Sequence, residues 1–306
     1  MPNFMRPTLS LALVVFVAAC SGSSGVASPS TAPDGSPAGS PSGSPTASPP
    51  DFGALEHPTG ATDVLLRYDV GGGMMIAGWA ASQVPIFTLY GDGTVVFRNQ
   101  TQEMPEMQGS VMRTNPLRTA KLTEEQIQDV LVLALGEGGL GVARAQYDNP
   151  MVTDVGTTTF EIDGGGIKKT VSIYALGFDV EGVPDLAARK AFGALAERLG
   201  NFDQGGSIAT DVYEPTAYRG ILMDGTGMVV PDVIAWPWDD LKPSDFKGPA
   251  DPNAFQLATR TLTPTQVEAV GVDGPEGGFQ GVIINGPGDG KLYSFSARPL
   301  LPGETE

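Results

Sequence analysis

The chain has 306 residues, 35 acidic against 18 basic side chains, a formal net charge of −17, one cysteine (Cys20) and one histidine (His57). So acidic a protein is repelled by phosphate backbones, which argues against a nucleic-acid partner. With one imidazole and one thiol, the folded part has no inventory for Ser-His-Asp or Cys-His triads, Cys/His zinc centres, haem attachment, iron–sulfur clusters or thiol redox chemistry. No cofactor is expected. Carboxylate chemistry, Ser-Lys chemistry, oxygen-ligated calcium and binding without catalysis stay open.

Residues 1–19 read as a secretory signal peptide. One charge, Arg6, precedes an apolar run from Leu9 to Ala19, which is too short to span a bilayer, where about 20 residues are needed. There is no twin-arginine pair. The run closes on Val17-Ala18-Ala19-Cys20, small residues ending in the chain's one cysteine. This quartet resembles the lipobox of bacterial lipoproteins. The resemblance implies a diacylglyceryl thioether on Cys20, cleavage before it, and a lipid anchor on the extracytoplasmic face of the cell membrane. Two acyl chains make a stable anchor at about 0.8 kcal/mol per buried methylene. Cleavage would remove Arg6 as the one charge lost and take the net charge from −17 to −18.

Residues 20–54 read as the lipidated cysteine followed by a tether. Between Ser21 and Pro50, twenty-two of thirty residues are Ser, Pro or Gly, and proline recurs every fourth position from Pro29 to Pro49. Such a composition carries too little apolar surface to offset chain entropy, so the expectation is a disordered, proline-stiffened spacer.

The folded part is expected as an α+β domain over 55–205 with a second α+β half over 206–306 packed on it. Val64–Val70 alternates as a strand. Pro85–Arg98 is a hairpin around Gly91-Asp92-Gly93. Leu122-Thr123-Glu124-Glu125-Gln126 opens a helix with a Thr123/Gln126 capping box, Ile127, Val130, Leu131, Ala134 and Leu135 on one face, and Gly136 as the stop. Thr157–Leu176 is a second hairpin around Asp163-Gly164-Gly165-Gly166. Pro184 starts a helix with Ala188, Ala191, Phe192, Leu195 and Leu199 inward and Gly200 at its end. Tyr218–Gly225 is a strand; Leu262–Val270 opens a further helix, and Gly281–Pro299 is a third hairpin. Long hairpins with few helices give an antiparallel, hairpin-rich sheet or sheets with covering helices. Leu122–Val130 and Leu262–Val270 match at Leu, Thr, Gln and Val, so a duplicated helix–hairpin unit is one option; shared capping chemistry is the other.

Tyr90-Gly91-Asp92-Gly93-Thr94-Val95, the Leu-Thr-x-x-Gln helix start, Tyr147, Asp154, Thr157-Thr158-Thr159 and Lys168-Lys169-Thr170-Val171 occur in that order. The series resembles a domain-of-unknown-function family among exported lipoproteins of high-GC bacteria, over residues 85–200. The resemblance implies a fold and no activity.

Three motif matches are set aside. Gly136–Gly141 fits G-x-G-x-x-G but follows a helix instead of opening one. Gly286–Lys291 is one residue short of a phosphate loop and lacks its Ser/Thr. Ser244-Asp245-Phe246-Lys247 fits S-x-x-K without the partner motifs. Asp92, Asp163, Asp224 and Asp289 each adjoin glycine and read as turn residues. Tyr147-Asp148 and Asp154 could line a groove. Met74-Met75-Ile76 with Trp79 reads as a core plug. The candidate binding segment is Trp236-Pro237-Trp238-Asp239-Asp240, where two indoles at i and i+2 could share one side of an extended chain beside two acids. Such a platform suits a carbohydrate, cationic or protein ligand. Burial of both indoles between the halves is the competing expectation.

These features favour a displayed binding or adaptor domain. The rivals are a carboxylate-based, glycosidase-like hydrolase and a spacer with no pocket. Two acids facing each other about 5–10 Å apart in a cleft would favour the hydrolase; acids scattered on turns would favour binding.

Overall fold

The computed structural model describes residues 53–74, 77–100, 102–225, 232–248, 257–288 and 290–305. The lipobox, the Ser/Pro/Gly tether, Met75, Ile76 and Asp289 lie outside them. In chain order the elements are β1 (Val64–Gly71), α1 (Ala77–Ala81), β2 (Phe87–Tyr90), β3 (Thr94–Phe97), β4 (Met112–Arg113), β5 (Arg118–Lys121), α2 (Glu124–Leu135), β6 (Gln146–Tyr147), β7 (Thr157–Gly164), β8 (Ile167–Tyr174) and α3 (Leu186–Gly200). The second half adds β9 (Asp211–Val212), β10 (Tyr218–Asp224), β11 (Val233–Ala235), β12 (Ala258–Leu262), α4 (Pro264–Glu268), β13 (Phe279–Asn285) and β14 (Leu292–Pro299).

The protein is α+β and sheet-rich, with mostly antiparallel strands. The first sheet runs β6-β8-β7-β1-β2-β3-β5-β9, and the second β11-β13-β14-β10-β12, with β4 pairing β13 at the side. Only β6/β8 and β11/β13 are parallel among these pairs. β4, from the first half, thus joins the second sheet, and β9, after residue 205, closes the first. Gly53 to Thr305 lie in one compact unit.

Alternation decides which face each strand buries. In β7, Thr158, Phe160 and Ile162 point inward while Thr157, Thr159 and Glu161 point out. The inward face, with Leu66, Tyr68, Phe87, Phe97 and Ile173, packs under α2 and α3. The capping box of α2 is present: Thr123 Oγ1 accepts from Gln126 N–H at 3.3 Å, and Gln126 Oε1 accepts from Thr123 N–H at 2.9 Å. Ile127, Leu131 and Ala134 are buried, and Gly136 caps the end. α3 begins at Leu186, two residues after the expected Pro184, and it buries Arg189 completely. The Arg189 guanidinium donates to the Tyr174 and Ala175 carbonyls at the end of β8 and bonds Asp179. An arginine was not expected on that face. It fits because its N–H groups find two main-chain carbonyls and a carboxylate there.

The β7–β8 turn centres on Gly165 and Gly166 at φ +59° and +73°, two consecutive left-handed residues of the kind a two-residue hairpin needs. Gly277 is constrained differently: a Cβ there would lie 1.9 Å from the Thr114 carbonyl oxygen. That close approach seats the β4 segment against the second sheet.

The two similar helix starts share their caps and little else. Thr263 and Gln266 repeat the capping box, but α4 is a single five-residue helix against twelve in α2. The hairpins also enter their sheets in opposite senses. β7, the leading strand of its hairpin, pairs β1, whereas β14, the trailing strand, pairs β10. The repetition stops at the helix start, where the same capping chemistry solves the same problem twice.

Candidate functional site

The expected platform at Trp236–Asp240 is not what the chain builds. Trp238 is 5% exposed and Trp236 is half-buried. Their rings meet edge to face, 5.0 Å apart at 81°, so they share no common surface. Trp238 also packs on Phe246 and Phe295, and Trp236 on Tyr293. Each indole N–H donates to a backbone carbonyl, Trp236 to Leu241 at 2.8 Å and Trp238 to Gln266 at 2.7 Å. The pair is a nucleus of the second hydrophobic cluster. Asp239 and Asp240 are exposed, and Asp240 accepts from Gln266 Nε2 at 3.3 Å.

The other sequence candidates are structural. Asp92 accepts from Thr94 N–H at 2.9 Å and pairs with Lys121 at 2.5 Å; Asp163 pairs with Lys168 at 2.6 Å. Asp224 ends β10 opposite Tyr293. Tyr147 is buried edge-on to Phe192, and its hydroxyl accepts from Arg144 N–H. Asp148 accepts from Gln146 at the surface, and Asp154 occupies a left-handed turn at φ +60°. Met74 is 85% and Trp79 36% exposed, against their expected role as a core plug; the chain turns through glycines 72 and 73 at positive φ, and Met74 N–H donates to the Asp154 carbonyl. Lys247 Nζ donates to the main-chain oxygen of Ser244, not its hydroxyl, so the S-x-x-K match holds no activated serine. His57 bonds Pro58 O at 2.7 Å and Glu124 at 3.1 Å, fastening the start of the fold to α2. No group of three or more metal-ligating side chains occurs among the described residues.

Charge gathers instead on the outward face of β1 and β7. The register places Arg67 opposite Glu161 and Asp69 opposite Thr159. Between them Tyr68 and Phe160 point the other way and stack in the core at 5.2 Å. Period two therefore forces the four polar side chains onto one side. From the second sheet Arg298 at the end of β14 and Glu304 in the following turn meet this face. With Gln83 and Pro85 they line a cleft of about 260 Å³.

Most of these charges hold one another. Arg67 Nη1 donates to Glu161 Oε2 at 3.3 Å. Arg298 is 5% exposed and grips Glu304 with both terminal nitrogens, at 2.7 and 3.3 Å, while Leu301 N–H donates to the same carboxylate at 2.9 Å. Burial pulls the Glu304 carboxyl upward, but the bond and charge of Arg298 outweigh it and hold it below the usual range. Beneath the cleft Tyr90 is fully buried on β2, and burial pushes its hydroxyl up; burial also pushes Tyr213 to about 12. Tyr213 donates to the Leu300 carbonyl at 2.9 Å and ties the β14 exit to the first sheet.

Asp69 is the exception. It makes no ion pair among the described residues and accepts only the N–H of its neighbour Val70, at 2.8 Å. Burial raises its carboxyl above the usual value; Val70 N–H and the Arg67 and Arg298 charges offset this in part, and Glu161 adds to the rise. The cleft holds two guanidinia and three carboxylates, +2 − 3 = −1, and Asp69 is the carboxylate among them that forms no ion pair among the described residues. The sequence gives no local sign of this site, because residues 67, 69, 161, 298 and 304 converge only through strand pairing.

The chain matches no protein-family model, no curated protein and no solved structure. No helix among the described residues is long and apolar enough to cross a membrane.

Proposed function

We propose that the protein is a lipoprotein, anchored through Cys20 at the extracytoplasmic face of the cell membrane, whose α+β domain binds a small polar ligand in the Arg67–Asp69–Glu161–Arg298–Glu304 cleft. The observation that carries the binding reading is Asp69, a partly buried carboxylate that forms no ion pair among the described residues, in a cleft whose other four charges pair as Arg67–Glu161 and Arg298–Glu304. Protein interiors rarely leave a charge so placed unless something else compensates it. The anchor rests on the Val17–Cys20 quartet, and the Ser/Pro/Gly tether supports it by giving the domain reach.

Two experiments test this. Cys20→Ser is expected to move the protein from the detergent phase to the aqueous phase; unchanged detergent partitioning would refute the anchor. Pools of small polar molecules are expected to raise the melting temperature of the wild type and not of Asp69→Asn; no shift with any pool would refute the cleft as a binding site.

A second reading, carboxylate-based hydrolysis, is favoured by one observation. Asp69 and Glu161 are diagonal neighbours across antiparallel strands, a relation that sets side chains about 7–8 Å apart. Inverting glycosidases separate their carboxyl groups by about 6.5–9.5 Å. In this reading Asp69, with its raised proton affinity, donates to the leaving oxygen, and Glu161, held beside Arg67, takes a proton from water. Release of nitrophenol from a panel of nitrophenyl glycosides, abolished by Glu161→Gln, is the expected result under this reading. No release from any member would exclude it for those sugars.

A further inference from the structure

We propose that the cleft recognises a primary ammonium group, with Asp69 as the carboxylate that receives it. This inference rests on the cleft being the ligand site. Three acceptors line it without a donor among the described residues. Asp69 has a second oxygen, since only Oδ1 accepts from Val70. Thr159, directly opposite Asp69 in the strand register, leaves its hydroxyl unengaged. Gln83 donates its amide N–H to the Trp79 carbonyl at 3.0 Å, and its own carbonyl oxygen accepts nothing. An alkylammonium carries three N–H donors and no acceptor, so donors and acceptors match in number.

Charge selects the same ligand. The cleft carries a net −1, and a cation restores neutrality while forming a charge-assisted bond to Asp69. An anion finds the terminal nitrogens of Arg67 and Arg298 on Glu161 and Glu304, with only one buried Nε–H on each guanidinium left without an acceptor among the described residues, and it would add to the net negative charge. A neutral hydroxyl compound would satisfy acceptors but leave the charge uncompensated. A quaternary ammonium brings the charge without donors. The volume, about 260 Å³, admits a small amine or the amino end of a longer chain.

The test uses the full chain and four probes: ethanolamine, putrescine, choline and acetate. Binding is read from melting temperature and from the ¹H–¹⁵N signals of Thr159, Val70 and the Gln83 amide. Ethanolamine and putrescine are expected to saturate and shift those signals. Choline is expected to bind about tenfold more weakly or worse, as loss of a charge-assisted hydrogen bond requires. Asp69→Asn is expected to remove the binding while staying folded, whereas Asp148→Asn, a surface acid away from the cleft, is expected to keep it. Equal binding of choline and ethanolamine, or undiminished binding by Asp69→Asn, would overturn the proposal and assign the effect to the acidic surface. If acetate saturates the cleft while the amines do not, the cleft remains a binding site and its ammonium specificity is refuted. If no probe shifts a cleft signal, the ammonium proposal is refuted, and the pooled screen above then decides whether the cleft binds at all.

Discussion

The Trp236–Asp240 segment and the Arg67–Asp69–Glu161 cleft are built in opposite ways. The first is contiguous: two tryptophans and two acids within five residues, conspicuous on reading and shaped like a ligand platform. The second is scattered over more than two hundred residues, and each of its members is unremarkable alone. The fold reverses their roles. It turns the indoles inward, edge to face, with both N–H groups bonded to backbone. It brings the distant charges together at one cleft and leaves Asp69 unpaired. Local composition reports what a segment can bury; only strand register reports which side chains meet.

The largest effect that would break this contrast is on Trp238. Its replacement by alanine removes a nearly fully buried aromatic with several ring neighbours and is expected to cost about 3–5 kcal/mol in denaturant unfolding. A loss under about 1 kcal/mol would restore the exposed platform.

Next in size is Glu304→Gln, which removes the charge that Arg298 grips. A hydrogen bond to a charged group contributes about 1.5–3 kcal/mol, and a loss of that order is expected at neutral pH. The pH dependence has a definite sign. The folded carboxyl titrates below its usual 4.5, so the stabilisation is present above that value and is lost as pH falls through the lower folded value. A variant as stable as the wild type at neutral pH, or one whose deficit grows on acidification, would contradict the pairing.

The smallest effect belongs to the exposed acids. Replacing Asp239 and Asp240 together by asparagine is expected to change stability by under about 0.5 kcal/mol and to leave amine binding intact. Loss of binding would return the site to that segment.

What could be read from the chain, and what could not, divides along the same line. Hairpins with Asp-Gly or Gly-Gly turns were legible because the turn fixes the pairing locally, as at Gly91–Gly93 and Gly164–Gly166. The capping box of α2 was legible because Thr123 and Gln126 are three residues apart. β5 (RTAK) and β12 (ATRTL) were not, since neither alternates, and each is a strand because a neighbour pairs with it. The length of α4 was overread: its capping box is real, but Gly271 follows the last turn at φ +76°. The cleft was illegible for the reason that makes it a site, since Asp69 shares it with Arg298 and Glu304, far along the chain.

The most direct test of the central claim, that Asp69 is held in the fold for a ligand and not for stability, is the melting temperature of Asp69→Asn against wild type from pH 7 down to pH 3, without ligand. Its carboxyl is raised above 3.8 in the folded state, so ionisation costs stability as pH rises through that interval. Asparagine keeps an acceptor for Val70 N–H and removes the charge. The account predicts a variant that melts higher than wild type at pH 7, with the gain shrinking as the wild-type carboxyl protonates on acidification, a trade of stability for function. A variant that melts lower than wild type at pH 7 would show that Asp69 stabilises the fold as an ordinary paired charge, and would contradict the account.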